Sequence, residues 1–95
     1  FLLAKVKVNL LNIFQLRINK KFINYEGKTV GDIVSQFLSE YKDKLDDQLF
    51  EKGKKKFNSQ ILLLLNGRNI KYLKNYKTSL KDGDELYLSY ALAGG

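Results

Sequence analysis

The chain has 95 residues, with 17 Lys and Arg against 10 Asp and Glu, 44% hydrophobic residues, and neither Cys nor His. That length allows one domain with one modest core, and the balance of apolar and charged residues suits a globular chain rather than a disordered one. Without Cys there is no disulfide, thiolate metal site or thioester chemistry, and without His the usual general base and the commonest transition-metal ligand are missing, which argues against an enzyme acting by itself.

No apolar run approaches the length of a membrane span. Phe1-Leu2-Leu3-Ala4 is too short for the apolar region of a signal peptide, and Lys5 and Lys7 interrupt it. A reducing, cytoplasmic compartment is therefore expected. The first residue is not Met, so what precedes Phe1 stays open. The net charge of +7 is uneven, with the densest basic run at Lys52-Gly53-Lys54-Lys55-Lys56. One short cluster of this kind is more often a solvated loop than a steering patch.

Lys5-Val6-Lys7-Val8-Asn9-Leu10 alternates polar and apolar, the period of a half-buried strand. A turn near Asn12 follows, and Phe14 to Ile18 reads as a second strand with Leu16 and Ile18 on one face. Phe22 and Ile23 extend or bend it. The two strands are expected to pair as an antiparallel hairpin.

Thr29-Val30-Gly31-Asp32 has the form of a capping box, with Asp32 where Glu is more usual. Ile33, Val34, Phe37, Leu38 and Tyr41 then form one helical stripe, which is core packing. Residues 43–59 are irregular, with Leu45, Leu49 and Phe50 able to form a helical turn and Glu51 to Lys56 an exposed loop. Ile61 to Leu65 is an uninterrupted apolar run of the length of a buried central strand. Asn66-Gly67 closes it as a hairpin turn, and Arg68 to Leu73 is expected to return antiparallel. After the polar turn Leu80-Lys81-Asp82-Gly83-Asp84, Glu85 to Tyr90 supplies the last strand, with Leu86, Leu88 and Tyr90 on one face. This order is α+β: a mixed sheet of four to five strands packed on one main helix, spanning residues 1–90.

The sequence ends Ala91-Leu92-Ala93-Gly94-Gly95. Glycine tolerates backbone angles closed to other residues and lets another protein's backbone approach on both sides. Five extended residues reach about 17 Å at some 3.4 Å each, enough to carry a terminal carboxylate down a narrow channel. Residues 91–95 are expected to form a flexible tail, because no periodic apolar pattern ties them down.

Asn66-Gly67-Arg68-Asn69-Ile70, then Leu80-Lys81-Asp82-Gly83-Asp84-Glu85-Leu86, then Ala93-Gly94-Gly95 resemble the ubiquitin-like sulfur carriers and modifiers. That family includes the small subunit of molybdopterin synthase, the thiamine sulfur carrier, the ubiquitin-related modifier and the small archaeal modifiers. The similarity covers the whole chain in element order and is most specific in the last thirty residues. Molybdopterin-synthase subunits commonly carry two prolines shortly before the diglycine; Tyr90-Ala91-Leu92-Ala93 here is closer to the ubiquitin-related modifier.

The resemblance implies a ubiquitin-like β-grasp fold and a carrier rather than an enzyme. It implies that Gly95, with Gly94 before it, is adenylated by a separate ATP-dependent activating enzyme resembling the ubiquitin-activating enzymes. Conversion to a thiocarboxylate then serves tRNA thiolation or molybdenum-cofactor synthesis. Ala91, Leu92 and Ala93 would contact that enzyme, and no cofactor would be resident on the chain. An alternative is a modifier that forms isopeptide bonds with substrate lysines through Gly95. A further alternative is a nucleic-acid-binding β-grasp module, since Lys71-Tyr72-Leu73-Lys74-Asn75-Tyr76-Lys77 interleaves cations with aromatics.

In the apolar run, Ile61, Leu63 and Leu65 lie on one sheet face and Leu62 and Leu64 on the other. One helix covers only one face, so the other set is covered by residues 43–59, buried in an oligomer or left exposed. The resemblance, to domains that dock through the sheet face opposite the helix, implies an exposed docking patch, with Tyr87 contributing. Leu62, Leu64 and Tyr87 are the candidate docking residues, though the alternation alone does not say which set points outward.

Overall fold

The computed structural model describes residues 3–51 and 56–91. Seven elements carry the fold: β1 (Ala4–Leu10), α1 (Asn12–Ile18), β2 (Phe22–Gly27), α2 (Val30–Tyr41), β3 (Ile61–Leu65), β4 (Arg68–Asn69) and β5 (Glu85–Tyr90). The strands form one five-stranded sheet in the order β2-β1-β5-β3-β4. β1 and β5 run parallel in the middle, and the outer pairs are antiparallel. The expected mixed sheet on one long helix is the architecture observed. Among the described residues no helix is long and apolar enough to cross a membrane.

The strand alternation decides which face is buried. Val6, Val8 and Leu10 of β1, Ile61, Leu63 and Leu65 of β3, and Leu86 and Leu88 of β5 all point into one core. α2 answers with Val30, Ile33, Val34, Phe37 and Leu38, at the spacing of one helical stripe. Each such side chain contributes about 1.5–3 kcal/mol on burial. The start of α2 is fixed by a complete capping box. The Thr29 hydroxyl accepts from Asp32 N–H at 3.3 Å, and the Asp32 carboxylate accepts from Thr29 N–H at 3.1 Å and from Lys28 N–H at 2.9 Å. Gly31 in the first turn has a packing reason: a Cβ there would sit 3.1 Å from the Tyr76 carbonyl oxygen.

Three expectations are corrected. Phe14 to Ile18 is not a strand but the end of helix α1, and the partner of β1 is Phe22–Gly27. The pairs that matter are Phe14 and Ile18, four apart and both buried, whereas Leu16 is 81% exposed. A period of four wins because Phe14 meets Phe37 and Phe57 edge-on, at centroid distances of 6.5 and 5.7 Å. The return strand after Asn66-Gly67 is only Arg68–Asn69. The Asn69 side chain accepts from Lys71 N–H at 3.0 Å and turns the chain into a 3₁₀ helix at Ile70–Tyr72. Finally, β3 is interior but not central; β5 occupies the middle of the sheet.

The irregular stretch joins the core on the helix side. It contains 3₁₀ turns at Lys42–Lys44 and Asp47–Leu49 and a Phe50–Phe57 bridge. Leu45, Leu49, Phe50 and Phe57 are buried, and Phe57 lies 6.2 Å from Phe37. Its described core residues therefore pack on the helix side of the sheet.

Candidate functional site

The two internal motifs of the resemblance meet in space. Asn66 and Gly67 both have positive φ, 52° and 89°, the geometry of the tight two-residue hairpin turn. The Asn66 side chain donates to the Asp84 carboxylate at 3.0 Å and accepts from Glu85 N–H at 2.9 Å. Asp84 in turn accepts from Lys81 N–H at 2.8 Å, and Asp82 accepts from Lys5 N–H at 2.8 Å. These motifs staple the two loops at one end of the sheet. Their role here is structural.

The outer face of the sheet carries the candidate docking residues. With Ile61, Leu63 and Leu65 buried, Leu62 and Leu64 are the outward set, each half-buried. Register places Leu64 opposite Tyr87 and Leu62 opposite Ser89. Tyr87 faces Asn9 of β1, and Asn9 faces Phe22 of β2. A row Phe22, Asn9, Tyr87, Leu64 thus crosses four strands on one face. Phe22 is 47% exposed, and Lys7 places its Nζ 4.7 Å from the ring centroid. Asn9 is held by a bond from its amide to Glu85 Oε1 at 3.1 Å. Sequence reading missed Phe22, because the alternation that sets its face belongs to a strand it did not place.

β5 outlasts its parallel neighbour. Strand β1 ends at Leu10, paired with Leu88, so the β1 side of Ser89 and Tyr90 lacks a strand partner. Asn12 takes its place. Its side-chain carbonyl accepts from Tyr90 N–H at 3.0 Å, and its amide donates to the Ser89 hydroxyl at 3.0 Å. This satisfies backbone groups that would otherwise depend on water. Asn12 adopts φ 37°, a conformation asparagine reaches more readily than most residues. On the other side Gln60 closes the grip: its carbonyl accepts from Ala91 N–H at 2.8 Å, and its side-chain oxygen accepts from the Tyr90 hydroxyl at 2.8 Å.

Of the expected tail residues, Ala91 is therefore held at the root. Leu92, Ala93, Gly94 and Gly95, with the expectation of a flexible tail, lie outside the described residues. Neither Asn12 nor Gln60 was legible as a site residue. Asn12 announces a turn, but its partner is 78 residues away.

No family model matches the chain. The solution structure of small archaeal modifier protein 1 from Methanosarcina acetivorans superposes with a TM-score of 0.84 at 30% identity, over 98% of each chain. A chain of the Amycolatopsis orientalis BexX/CysO complex, 23% identical, shares the fold with a TM-score of 0.71 over 95% of this chain and 99% of that one. The domain is thus a ubiquitin-like β-grasp protein. Small archaeal modifier protein 3 of Haloferax volcanii is 37% identical over 70 residues, 74% of this chain and 73% of that protein. The chain belongs to the small archaeal modifier family of ubiquitin-like sulfur carriers and modifiers.

Proposed function

We propose that the protein is a cytoplasmic sulfur carrier whose Gly95 carboxylate is activated by a separate ATP-dependent adenylating enzyme. The observation that carries this reading is the course of β5, which passes through the docking row at Tyr87 and enters the grip of Asn12 and Gln60 over the next two to four residues, Ser89 to Ala91. A partner seated on the row meets the chain again where it leaves the sheet. Fully extended, four residues would reach about 14 Å at some 3.4 Å each, enough to carry a terminal carboxylate into a partner's active site.

The chemistry asks little of the carrier. A carboxylate is a poor acyl donor, so its oxygen first attacks the α-phosphate of ATP and expels pyrophosphate. A persulfide sulfur then attacks the acyl carbon, AMP leaves, and a second thiol cleaves the acyl disulfide to release the thiocarboxylate. Nucleotide, metal and catalytic groups belong to the activating enzyme, consistent with a carrier lacking Cys and His. The sulfur then passes to a tRNA base or a molybdenum-cofactor precursor.

A second reading rests on the relatives, which are named modifier proteins. The same adenylate, attacked by a substrate lysine amine, gives an isopeptide bond. ATP–pyrophosphate exchange by a cognate activating enzyme tests the shared first step. Exchange should depend on this chain and vanish when Gly95 is deleted, and exchange that survives the deletion would remove both readings.

A further inference from the structure

A groove of about 640 Å³ lies at the outer edge of β3; its lining includes Leu62 of the outward set but neither Leu64 nor Tyr87. Lys56, Lys71, Lys74 and Lys77 line it, and Glu51 is the one acidic residue among its lining residues. None of the four lysines forms an ion pair among the described residues. Four cations against one carboxylate leave the groove with an excess of positive charge, which raises the affinity for an anionic occupant.

The walls are built rather than loose. Leu73 N–H donates to the Ile70 carbonyl at 2.9 Å, Lys74 N–H to the Thr78 hydroxyl at 3.0 Å, and Lys77 N–H to the Lys74 carbonyl at 3.0 Å. Across the groove, Phe57 N–H donates to the Tyr76 hydroxyl at 3.2 Å and ties the two walls together. Burial pushes the Tyr76 phenol above its ordinary pKa, although the Phe57 bond opposes that, so it stays a neutral phenol at physiological pH. Lys56 and Lys71 lay their Nζ atoms 5.5 and 5.4 Å from the Tyr76 and Tyr72 ring centroids. The rings hold the ammonium groups in place, which lowers the ordering cost of binding.

Two observations choose between a polypeptide and a nucleic acid. Tyr76, the one tyrosine that lines the groove, is half-buried with the Lys56 ammonium over its ring, so it is a poor stacking platform for a single strand, whereas Tyr72, 75% exposed, lies outside the lining. The floor of the groove is β3, whose outer edge pairs with β4 only at Leu64 and Leu65. On that edge the Ile61 N–H is taken by the Asn58 carbonyl at 3.2 Å, but beside Leu62 and Leu63 no described strand lies, which is the setting an extended segment joins.

We propose that this groove is a second docking site that seats an extended, acidic segment of a partner protein on the outer edge of β3. Ser59 and Ile61 line it on either side of Gln60, which grips Tyr90 and Ala91 from the β5 side, so β3 stands between the bound segment and Ala91. The site stands apart from the chemistry at Gly95 and is tested without it.

The test titrates the full chain with two labelled probes: a synthetic peptide alternating Glu and Val, and a single-stranded oligoribonucleotide of equal negative charge. Anisotropy gives affinity, and amide shifts give location. The peptide should bind, with shifts centred on Ile61–Leu63 and residues 71–77. Reversing Lys71→Glu and Lys74→Glu together should weaken it at least about tenfold, while Lys20→Glu with Lys42→Glu, the same charge change outside the groove, should change it by less than about twofold. Thermal unfolding checks the fold of each variant, and Lys71→Gln with Lys74→Gln replaces the reversal if that variant unfolds. Tighter binding of the RNA, equal weakening by both pairs of changes, or binding of neither probe would overturn the proposal.

Discussion

Asn12 and Tyr90 are joined by a 3.0 Å bond from the Tyr90 amide to the Asn12 side-chain oxygen, across 78 residues of sequence. The bond completes a sheet edge that β1 leaves unfinished, at the point where the chain departs for its last residues. Asn12→Gly keeps the positive φ but removes the side chain, so it isolates the grip from backbone strain. It should destabilise the domain by about 1 kcal/mol and speed hydrogen exchange at Tyr90. Asn12→Asp, which keeps the acceptor, should restore most of the Tyr90 protection. Unchanged exchange in Asn12→Gly would mean that the side chain holds nothing.

The two leucine sets of β3 separate folding from docking. Leu63→Glu puts a charge into the core without a partner and should unfold the domain. Leu64→Glu lies on the outer row opposite Tyr87 and should leave the melting transition nearly unchanged. It should weaken binding to the activating enzyme by about 1–2 kcal/mol, the scale of an interface anchor. Calorimetry of both variants distinguishes the two faces; unfolding by both would make the outer face structural.

Phe57 sits in the segment whose sequence looked least ordered, yet it touches Phe14, Phe37 and Phe50. Phe57→Ala should cost about 3–5 kcal/mol, as for a large aromatic in a packed core. A loss below 1 kcal/mol in urea unfolding would show that the segment is peripheral.

The capping box makes helix α2 sensitive to acid. Hydrogen bonds from the Lys28 and Thr29 amides, in that order, hold the Asp32 carboxyl below its ordinary pKa. A depressed folded-state pKa contributes stability that is present above the ordinary carboxylate range and lost as pH falls through the folded value. Thr29→Ala should cost about 1 kcal/mol at neutral pH. The gap between the parent chain and Asp32→Ala should narrow as the pH is lowered below the carboxylate range. A gap independent of pH would show that Asp32 acts in some other way.

Much of the fold was legible because its signals are local. The alternation of β1, the stripe of α2, the Asn66-Gly67 turn and the Thr29–Asp32 box each depend on a few neighbouring residues. Helix α1 was misread because Phe14 to Ile18 satisfies both periods over five residues, and only the aromatic contacts with Phe37 and Phe57 decide between them. Leu62, Leu64 and Tyr87 could be nominated from periodicity, but their direction required the register of β3 on β5. The grip of Asn12 and Gln60 and the lysine groove arise from long-range placement, which no local pattern encodes.

Intact mass of the full chain after incubation with a cognate activating enzyme, ATP and a persulfide donor tests the central claim most directly. The carrier account predicts one sulfur in place of one oxygen, located by fragmentation at Gly95 and absent when Gly95 is deleted. An unchanged mass, with the same enzyme active on its own known carrier, would contradict it.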